Sequence, residues 1–199
     1  MSSIWDEFYS SYLDEETDLP SRLNIVKGYI KDILNDNSII NVVSICGGKS
    51  FDILESLKDN QKLYIIDNDK DAEKHVSLKQ FNNVNFLLRD AQESNSYEDL
   101  PQANLLICSG FIGSITSESI SDFIVFLRQI IYKGSKVVWT IKNENLDHLE
   151  FVLGEFIKHD FKHLSIKKTT HNRFSCIQSE FVGDPDILKL NKKIMNMSW

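Results

Sequence analysis

Four short apolar runs in this sequence each end in residues that can contact a polar ligand. The first run leads into two adjacent glycines, Gly47 and Gly48, where a backbone can approach a ligand without an intervening Cβ. The second run ends in "YIID", and its Asp67 follows the glycines at about 20 residues, the spacing at which an acid accepts hydrogen bonds from ribose hydroxyls. Asp90 follows the third run, and the small-residue turn "CSGFIG" follows the fourth. A double glycine or a single acid is a weak signal, but the four together favour a site for a nucleotide-like cofactor.

The elements that must position these residues alternate along the chain. Apolar runs predict strands at 40–46, 62–67, 84–88, 103–109 and 135–141. Helical spacing of apolar residues predicts helices at 51–58, 70–78, 118–132 and 145–159. Strands that are apolar throughout and separated by helices are typical of a parallel sheet that is covered on both faces. Ligands bind such sheets at the carboxyl ends of the strands, so we expect the four polar strand ends to meet.

The two ends of the chain depart from this alternation. An aromatic stripe with helical spacing predicts a helix over 4–13, and Pro20 opens a second helix. Near the other end, "FKHLSIKKTTHNRFSCIQSEFVGD" contains two strand-like runs with no helix between them, which predicts an antiparallel hairpin. The segment "DPDILKLNKKIM" predicts a short terminal helix. We expect one compact domain, with an N-terminal helical cap over 1–38 and a cofactor-binding core over 39–199.

Composition narrows the class of protein. The chain has 199 residues, 42% of them hydrophobic, and a formal net charge of -7, which disfavours a phosphate-rich nucleic acid as partner and favours a small-molecule substrate. Cys46, Cys108 and Cys176 form no C-x-x-C pair, so reduced thiols are expected, with neither a disulfide framework nor a metal site. No apolar run approaches the roughly 20 residues that span a bilayer, and the acidic N-terminus differs from a signal peptide. We therefore expect a cytoplasmic protein with no membrane contact; no pattern indicates its oligomeric state.

The loop after the first strand carries an S-x-C-x-G-x-x-x-D pattern, formed by Ser44, Cys46, Gly48 and Asp52. Together with the other strand ends, this pattern resembles class I S-adenosylmethionine-dependent methyltransferases, in particular a bacterial group of small members of that class. The resemblance extends over nearly the whole chain. It implies a Rossmann-like α/β fold, with a mostly parallel seven-stranded sheet, a C-terminal antiparallel hairpin and helices on both faces. It also implies S-adenosylmethionine as cofactor and methyl transfer to a small molecule.

The resemblance assigns cofactor contacts at each strand end. The matching residues are Cys46, Gly47 and Gly48 at the methionine part, Asp67 at the ribose with Asn68 near the adenine, Asp90 and Ala91 at the adenine edge, and Ser109, Gly110 and Phe111 beside the methyl donor. The first loop departs from the usual pattern of the class. Ser44 stands where an acid is usual, Cys46 stands where the first glycine is usual, and Ser50 replaces the last glycine, so this loop is bulkier and less acidic.

The chemistry that the resemblance implies needs few catalytic groups. Methyl transfer is a displacement at an electrophilic sulfonium, so alignment dominates and a base is needed only when the acceptor must lose a proton. Candidate catalytic residues are His171, in the hairpin turn, and Tyr9, which with Tyr12 would cover the cofactor if the first helix is a lid; each also fits an ordinary surface or packing role. Arg22 fits either a contact to the cofactor carboxylate or a surface position. The Asn/Asp-Pro-Pro-aromatic motif of enzymes that methylate planar amines is absent, which is an argument against nucleobase amino groups.

Three other functions remain open on the sequence. An enzyme with the same fold can transfer or cyclise the aminocarboxypropyl arm of the cofactor, using the same pocket. A nicotinamide-dependent oxidoreductase would need G-x-G-x-x-G, which "CGGKSFD" does not supply. The third alternative is a non-catalytic relative that has kept the fold as a binding module. The altered glycine loop is compatible with this alternative.

Overall fold

Seven strands form a single sheet in the computed structural model, which describes residues 10–197. In chain order they are β1 (Asn41–Ile45), β2 (Lys62–Asp67), β3 (Val84–Leu88), β4 (Ala103–Cys108), β5 (Ile131–Lys142), β6 (Phe161–Lys168) and β7 (Phe174–Phe181). Their order across the sheet is β3-β2-β1-β4-β5-β7-β6. The first five strands are parallel, and β7 is antiparallel to both β5 and β6. The predicted fold class, including its C-terminal hairpin, is confirmed.

Among residues 10–197, four α-helices cover the two faces of the sheet: α1 (Leu19–Leu34), α2 (Lys70–Ser77), α3 (Ser117–Leu127) and α4 (Leu146–Lys158). Alternate strand residues point to opposite faces, so Val42 packs in the core with α1 and α2, while Val43 packs in the core with α3 and α4. The helix predicted over 118–132 ends at Leu127 because β5 already begins at Ile131. Among the described residues no helix is both long and apolar enough to cross a bilayer.

Two predicted helices are absent from the structure. Residues 51–56 form successive turns, with i to i−3 bonds such as Ser56 N to Ile53 O at 2.8 Å. Ser50 precedes them with a φ of 50°. The segment predicted as a terminal helix has no helical structure; its Lys193 makes an isolated bridge to Glu93, and beyond it Met197 makes one to Ile115. These tertiary contacts, which no local pattern encodes, replace the helical hydrogen bonds.

Asp18 joins the start of α1 to the turn of the β6–β7 hairpin. Its fully buried carboxylate accepts hydrogen bonds from Thr169 Oγ1 at 2.5 Å, from the backbone N of His171 at 3.0 Å and from the backbone N of Arg173 at 3.1 Å. Burial opposes its ionisation, but these bonds outweigh burial and hold the pKa of Asp18 below its ordinary value. The first turn of α1 is thereby fixed against the sheet. Most of the helix predicted over 4–13 lies outside the described residues. The part that is described includes Ser11–Leu13, which form a 3-10 turn.

Candidate active site at the strand ends

A cavity of about 590 Å³ lies at the carboxyl ends of β1, β2, β3 and β4, on both sides of the point where strand order reverses. Its volume is in the range of small-molecule sites. All ten residues that the resemblance assigned to the cofactor line it: Cys46, Gly47, Gly48, Asp67, Asn68, Asp90, Ala91, Ser109, Gly110 and Phe111. The structure therefore brings together residues from four strand ends, and the whole set spans more than sixty positions of sequence, from Cys46 to Phe111.

The glycine loop has a backbone that alternates between ordinary and left-handed conformations. Cys46, Gly48 and Ser50 have φ values of 49°, 49° and 50°. Only glycine adopts this conformation without strain, so two of the three departures from the usual pattern, Cys46 and Ser50, stand where glycine would be relaxed. Gly47 is required for space, because a Cβ there would lie 2.6 Å from Ser44 Oγ. Turns rather than a helix follow the loop, so it lacks the helix dipole that favours phosphate binding.

Asp67, at the end of β2, connects the loop to the neighbouring strand. Its Oδ2 accepts a hydrogen bond from the backbone N of Gly48 at 2.8 Å, and its Oδ1 accepts one from the backbone N of Asp69 at 2.9 Å. Burial raises the pKa of Asp67, and these bonds only partly offset it. A carboxylate fixed in this way presents its remaining lone pairs to the cavity, where they can accept from ligand hydroxyls.

The wall after β3 is held by side chains of the following 3-10 turn. Ser96 Oγ donates to the carbonyl of Asp90 at 2.6 Å, and the Tyr97 hydroxyl donates to the carbonyl of Ala91 at 3.0 Å. The extended C-terminal segment passes along the same wall, with Ile194 N donating to the carbonyl of Gln92 at 2.8 Å. Met197 from this segment lines the cavity. Sequence reasoning missed Met197, which lies two residues beyond the segment predicted as a terminal helix.

The turn after β4 separates the first cavity from a second one of about 500 Å³. Gly110 has a φ of 94°, donates from its backbone N to Thr140 Oγ1 at 2.9 Å, and lines both cavities. The second cavity is mixed in character, with Thr140, His148 and Phe174 among its lining residues. His148, which reads as a surface residue in the sequence, is half-buried there.

Arg22, in the first turn of α1, lines both cavities and is only 4% exposed, so a surface position for it is wrong. Its Nη2 donates to the Tyr12 hydroxyl, and its guanidinium lies 5.5 Å and 5.1 Å from the ring centroids of Tyr12 and Phe174. Asp52, from the turns after the glycine loop, also lines the first cavity, and burial raises its pKa from 3.8 to about 6. The sequence pattern contained Asp52, but nothing in it indicated that this side chain faces the cavity.

Of the two candidate catalytic residues, the structure describes His171 and does not bring it to the cavity. His171 donates from its backbone to Asp18, its side chain is 53% exposed, and it is not among the residues that line either cavity. Tyr9 lies outside the described residues. Burial raises the pKa of the Cys46 and Cys108 thiols well above the ordinary value, so both stay protonated and weakly nucleophilic at neutral pH.

Several solved structures are similar to this chain over most of its length and over more than half of their own. An O-methyltransferase family protein from Burkholderia thailandensis gives a TM-score of 0.70 at 10% identity, over 89% of this chain and 59% of that chain. Magnesium protoporphyrin IX methyltransferase (ChlM) from Synechocystis PCC 6803, with bound SAM, gives 0.67 at 12% identity, over 90% and 91%. N-methyltransferase NodS from Bradyrhizobium japonicum WM9, in complex with S-adenosyl-L-homocysteine, gives 0.65 at 12% identity, over 87% and 91%.

Sequence comparison adds nothing to this likeness, since no protein-family model matches the chain and no curated protein is similar to it in sequence. The likeness therefore concerns architecture: a seven-stranded sheet with an antiparallel strand next to its edge, and a cavity at the strand ends. In this chain, helices pack on both faces of the sheet. The chain has the fold of the class I S-adenosylmethionine-dependent methyltransferases.

Proposed function

We propose that this protein binds S-adenosylmethionine in the first cavity and transfers its methyl group to a small molecule. The observation that carries the proposal is the convergence of the ten residues named from the sequence on one cavity, with Asp67 at the end of β2. A fold alone does not define an activity, so the argument rests on the chemistry of these residues. The similar structures that hold SAM or S-adenosylhomocysteine support the same cofactor.

The charge of the cavity suits this cofactor. The acids Asp52, Asp67, Asp69 and Asp90 line it, and among the described lining residues Arg22 is the one cation. A cofactor that carries a sulfonium and an ammonium group is attracted to such a surface, whereas the phosphates of a nicotinamide dinucleotide are repelled. The charge distribution therefore favours S-adenosylmethionine over the oxidoreductase alternative.

The residues divide the work of binding and alignment. When bound, S-adenosylmethionine supplies a methyl group on an electrophilic sulfonium. Asp67 accepts from the ribose hydroxyls, while the backbone around Ala91 meets the adenine edge. Gly110, which has no side chain, leaves the path between the two cavities open for an acceptor to approach in line. We assign the role of a cap to the segment over 1–38, since its Tyr12 and Arg22 line the cavity.

The second cavity supports a small-molecule acceptor. Its volume of about 500 Å³ fits a metabolite-sized molecule, and it meets the first cavity at Arg22 and Gly110. The net charge of -7 disfavours RNA or DNA. His148 supplies an imidazole in this cavity that can accept a proton when the acceptor must lose one.

Product analysis tests the activity. The protein is incubated with S-adenosylmethionine and three acceptor pools in parallel: a low-molecular-weight metabolite extract, total RNA and a protein extract. We expect S-adenosylhomocysteine to form with the metabolite extract and not with the other two, and Asp67→Ala to form less of it when S-adenosylmethionine is below saturation. Methylthioadenosine as product would instead indicate transfer or cyclisation of the amino-acid arm. Tight cofactor binding with no product from any pool would favour the non-catalytic alternative.

A further inference from the structure

The two cavities differ in charge, and Arg22 stands at the boundary between them. Four acids line the first cavity. The second cavity is lined by one acid, Glu144, and by two cationic side chains, Arg22 and Lys142. Lys142 and Glu144 lie 3.7 Å apart and are both largely exposed, so they offset each other at the rim. This leaves the guanidinium of Arg22 as the charge that no neighbour balances in the described lining of the second cavity.

Arg22 is buried without an acidic partner. It is 4% exposed, and none of the ion pairs among residues 10–197 includes it. Its contacts are the Tyr12 hydroxyl, which accepts from Nη2, and the rings of Tyr12 and Phe174. Burial of a guanidinium without a counter-charge is unfavourable, and ring contacts offset only part of that cost. A ligand that carries a negative charge would supply the missing partner.

The guanidinium also lies where the two cavities meet. A Cβ on Gly110 would lie 3.5 Å from both Nη1 and Nη2 of Arg22, so these nitrogens stand directly over the Gly110 backbone. Gly110 lines both cavities. An anion that binds Arg22 from the second cavity is therefore held beside the opening through which an acceptor approaches the methyl group.

We propose that the methyl acceptor is a small monocarboxylic acid and that Arg22 binds its carboxylate in the second cavity. The inference rests on the proposed function and adds the class of substrate. The planar guanidinium matches a carboxylate through two parallel hydrogen bonds. A phosphate group would bring a charge of about −1.5 to −2, more than one guanidinium balances. Leu19, Ile141 and Phe174 line the same cavity and suit an apolar remainder of the acceptor.

The carboxylate of the cofactor is the competing partner for Arg22, because Arg22 lines the first cavity as well. Two contacts favour the acceptor. Tyr12, which lines the first cavity and not the second, already takes a hydrogen bond from Nη2. Phe174, which lines the second cavity and not the first, has the ring that lies nearer to the guanidinium, at 5.1 Å against 5.5 Å for Tyr12.

Separation of the acceptor pool by charge tests the class of acceptor. The low-molecular-weight metabolite extract is divided by ion exchange into anionic, neutral and cationic fractions, and each is incubated with wild-type protein and S-adenosylmethionine. We expect S-adenosylhomocysteine to form with the anionic fraction. Its formation should persist after phosphatase treatment of that fraction and fall at least tenfold after carbodiimide and ammonia have converted the carboxylates to amides.

The same assay separates failure of this inference from failure of the proposed function. S-adenosylhomocysteine formed with the neutral or cationic fraction alone would overturn the inference and leave the proposed function standing. Loss of product after phosphatase treatment would do the same, because it would identify a phosphate as the recognised group. If no fraction yields product, the proposed function fails and the inference fails with it.

Arg22→Gln distinguishes recognition of the acceptor from recognition of the cofactor. We expect the apparent KM for the anionic fraction, measured by its dilution, to rise at least tenfold, while the affinity for S-adenosylhomocysteine stays within threefold of wild type by calorimetry. A tenfold loss of that affinity with an unchanged apparent KM would assign Arg22 to the cofactor and overturn the inference. Arg22→Lys keeps the charge without the planar fork, and serves if Arg22→Gln does not fold.

Arg128→Gln is the matched control. Arg128 is another arginine with little exposed surface, and it pairs with Asp160 and Asp186 outside both cavities. We expect its replacement to leave the apparent KM and the affinity for S-adenosylhomocysteine unchanged, with thermal unfolding as the check that each variant is folded. An equal rise in the apparent KM for Arg22→Gln and Arg128→Gln would show a general effect of losing an arginine and would overturn the inference.

Discussion

The carboxylate of Asp67 accepts a hydrogen bond from the backbone N of Gly48 at 2.8 Å, across nineteen positions of sequence and between the ends of adjacent strands. This bond fixes the glycine loop that follows β1, and it also holds the Asp67 carboxylate at the cavity wall. A substitution of Asp67 is therefore expected to change both the conformation of the loop and the affinity for a ligand that contacts the carboxylate.

The first prediction concerns Asp67→Ala. A carboxylate that bridges two ribose hydroxyls makes charge-assisted hydrogen bonds, so its loss should cost about 1.5–3 kcal/mol of binding free energy, roughly tenfold or more in affinity. Calorimetry with S-adenosylmethionine measures this, and thermal unfolding shows whether the variant stays folded. Asp67→Asn, which keeps the shape and one acceptor, should lie between Ala and wild type. Unchanged affinity in Asp67→Ala would mean that the cofactor site has been misplaced.

The second prediction concerns Gly48→Val. The φ of 49° at Gly48 is strongly unfavourable for a β-branched residue, and the new side chain would also extend toward the bound methionine part. Binding of S-adenosylhomocysteine should be abolished. Gly28→Val is the matched control, because a Cβ at Gly28 meets nothing within 4 Å and the residue lies in α1. Retained binding in Gly48→Val, measured by calorimetry, would show that the loop does not approach the ligand.

The third prediction concerns Cys46→Gly. Cys46 has a φ of 49°, a conformation that costs a non-glycine residue about 1–3 kcal/mol when the surroundings impose it. Glycine removes this strain but is more flexible in the unfolded chain, so stability should change little. Cofactor binding should be retained or tightened, and S-adenosylhomocysteine should remain the product. Loss of activity with binding intact would indicate a specialised loop and would favour the chemistry of the amino-acid arm.

The sheet and the position of the site follow from the sequence because both depend on local patterns. The apolar runs that predicted β1 to β5 are continuous, and the hairpin of β6 and β7 was visible in the loss of helical spacing after Phe161. Strand ends converge in any parallel sheet, so the polar residues that follow each strand could be grouped without coordinates.

The parts that the sequence did not predict depend on contacts between distant segments. The course of the C-terminal segment is set by tertiary hydrogen bonds, as between Ser94 N and Lys192 O at 2.9 Å. The burial of Arg22 depends on Tyr12 and Phe174, which lie far from each other in sequence. A residue pattern specifies where a polar side chain stands along an element but not which distant side chain lies beside it.

The fourth prediction concerns the pH dependence of stability at Asp52. Burial raises its folded-state pKa from 3.8 to about 6, so ionisation is less favourable in the folded chain than in the unfolded chain. The stability that the protonated acid provides is full below pH 3.8 and is lost as pH rises through about 6, at a cost on the order of 3 kcal/mol. Asp52→Asn without ligand should therefore gain stability relative to wild type between pH 4 and pH 7.

Arg22 and Lys27 are the other charged groups that act on Asp52. Both are present in wild type and in Asp52→Asn, so the difference between the two proteins isolates this carboxyl. The measurement is urea unfolding of both proteins at each pH. A difference in unfolding free energy that stays constant from pH 4 to pH 7 would show that Asp52 is not buried as the structure has it.

The central claim is that the cavity at the strand ends is an S-adenosylmethionine site, and direct titration of the wild-type protein tests it. Calorimetry with S-adenosylmethionine, S-adenosylhomocysteine and NAD, at one pH and salt concentration, compares the candidate cofactors. We expect S-adenosylmethionine and S-adenosylhomocysteine to bind at a single saturable site per chain and NAD to give no heat of binding. Binding of NAD in preference to both sulfur compounds, or no binding of any of the three, would contradict the account.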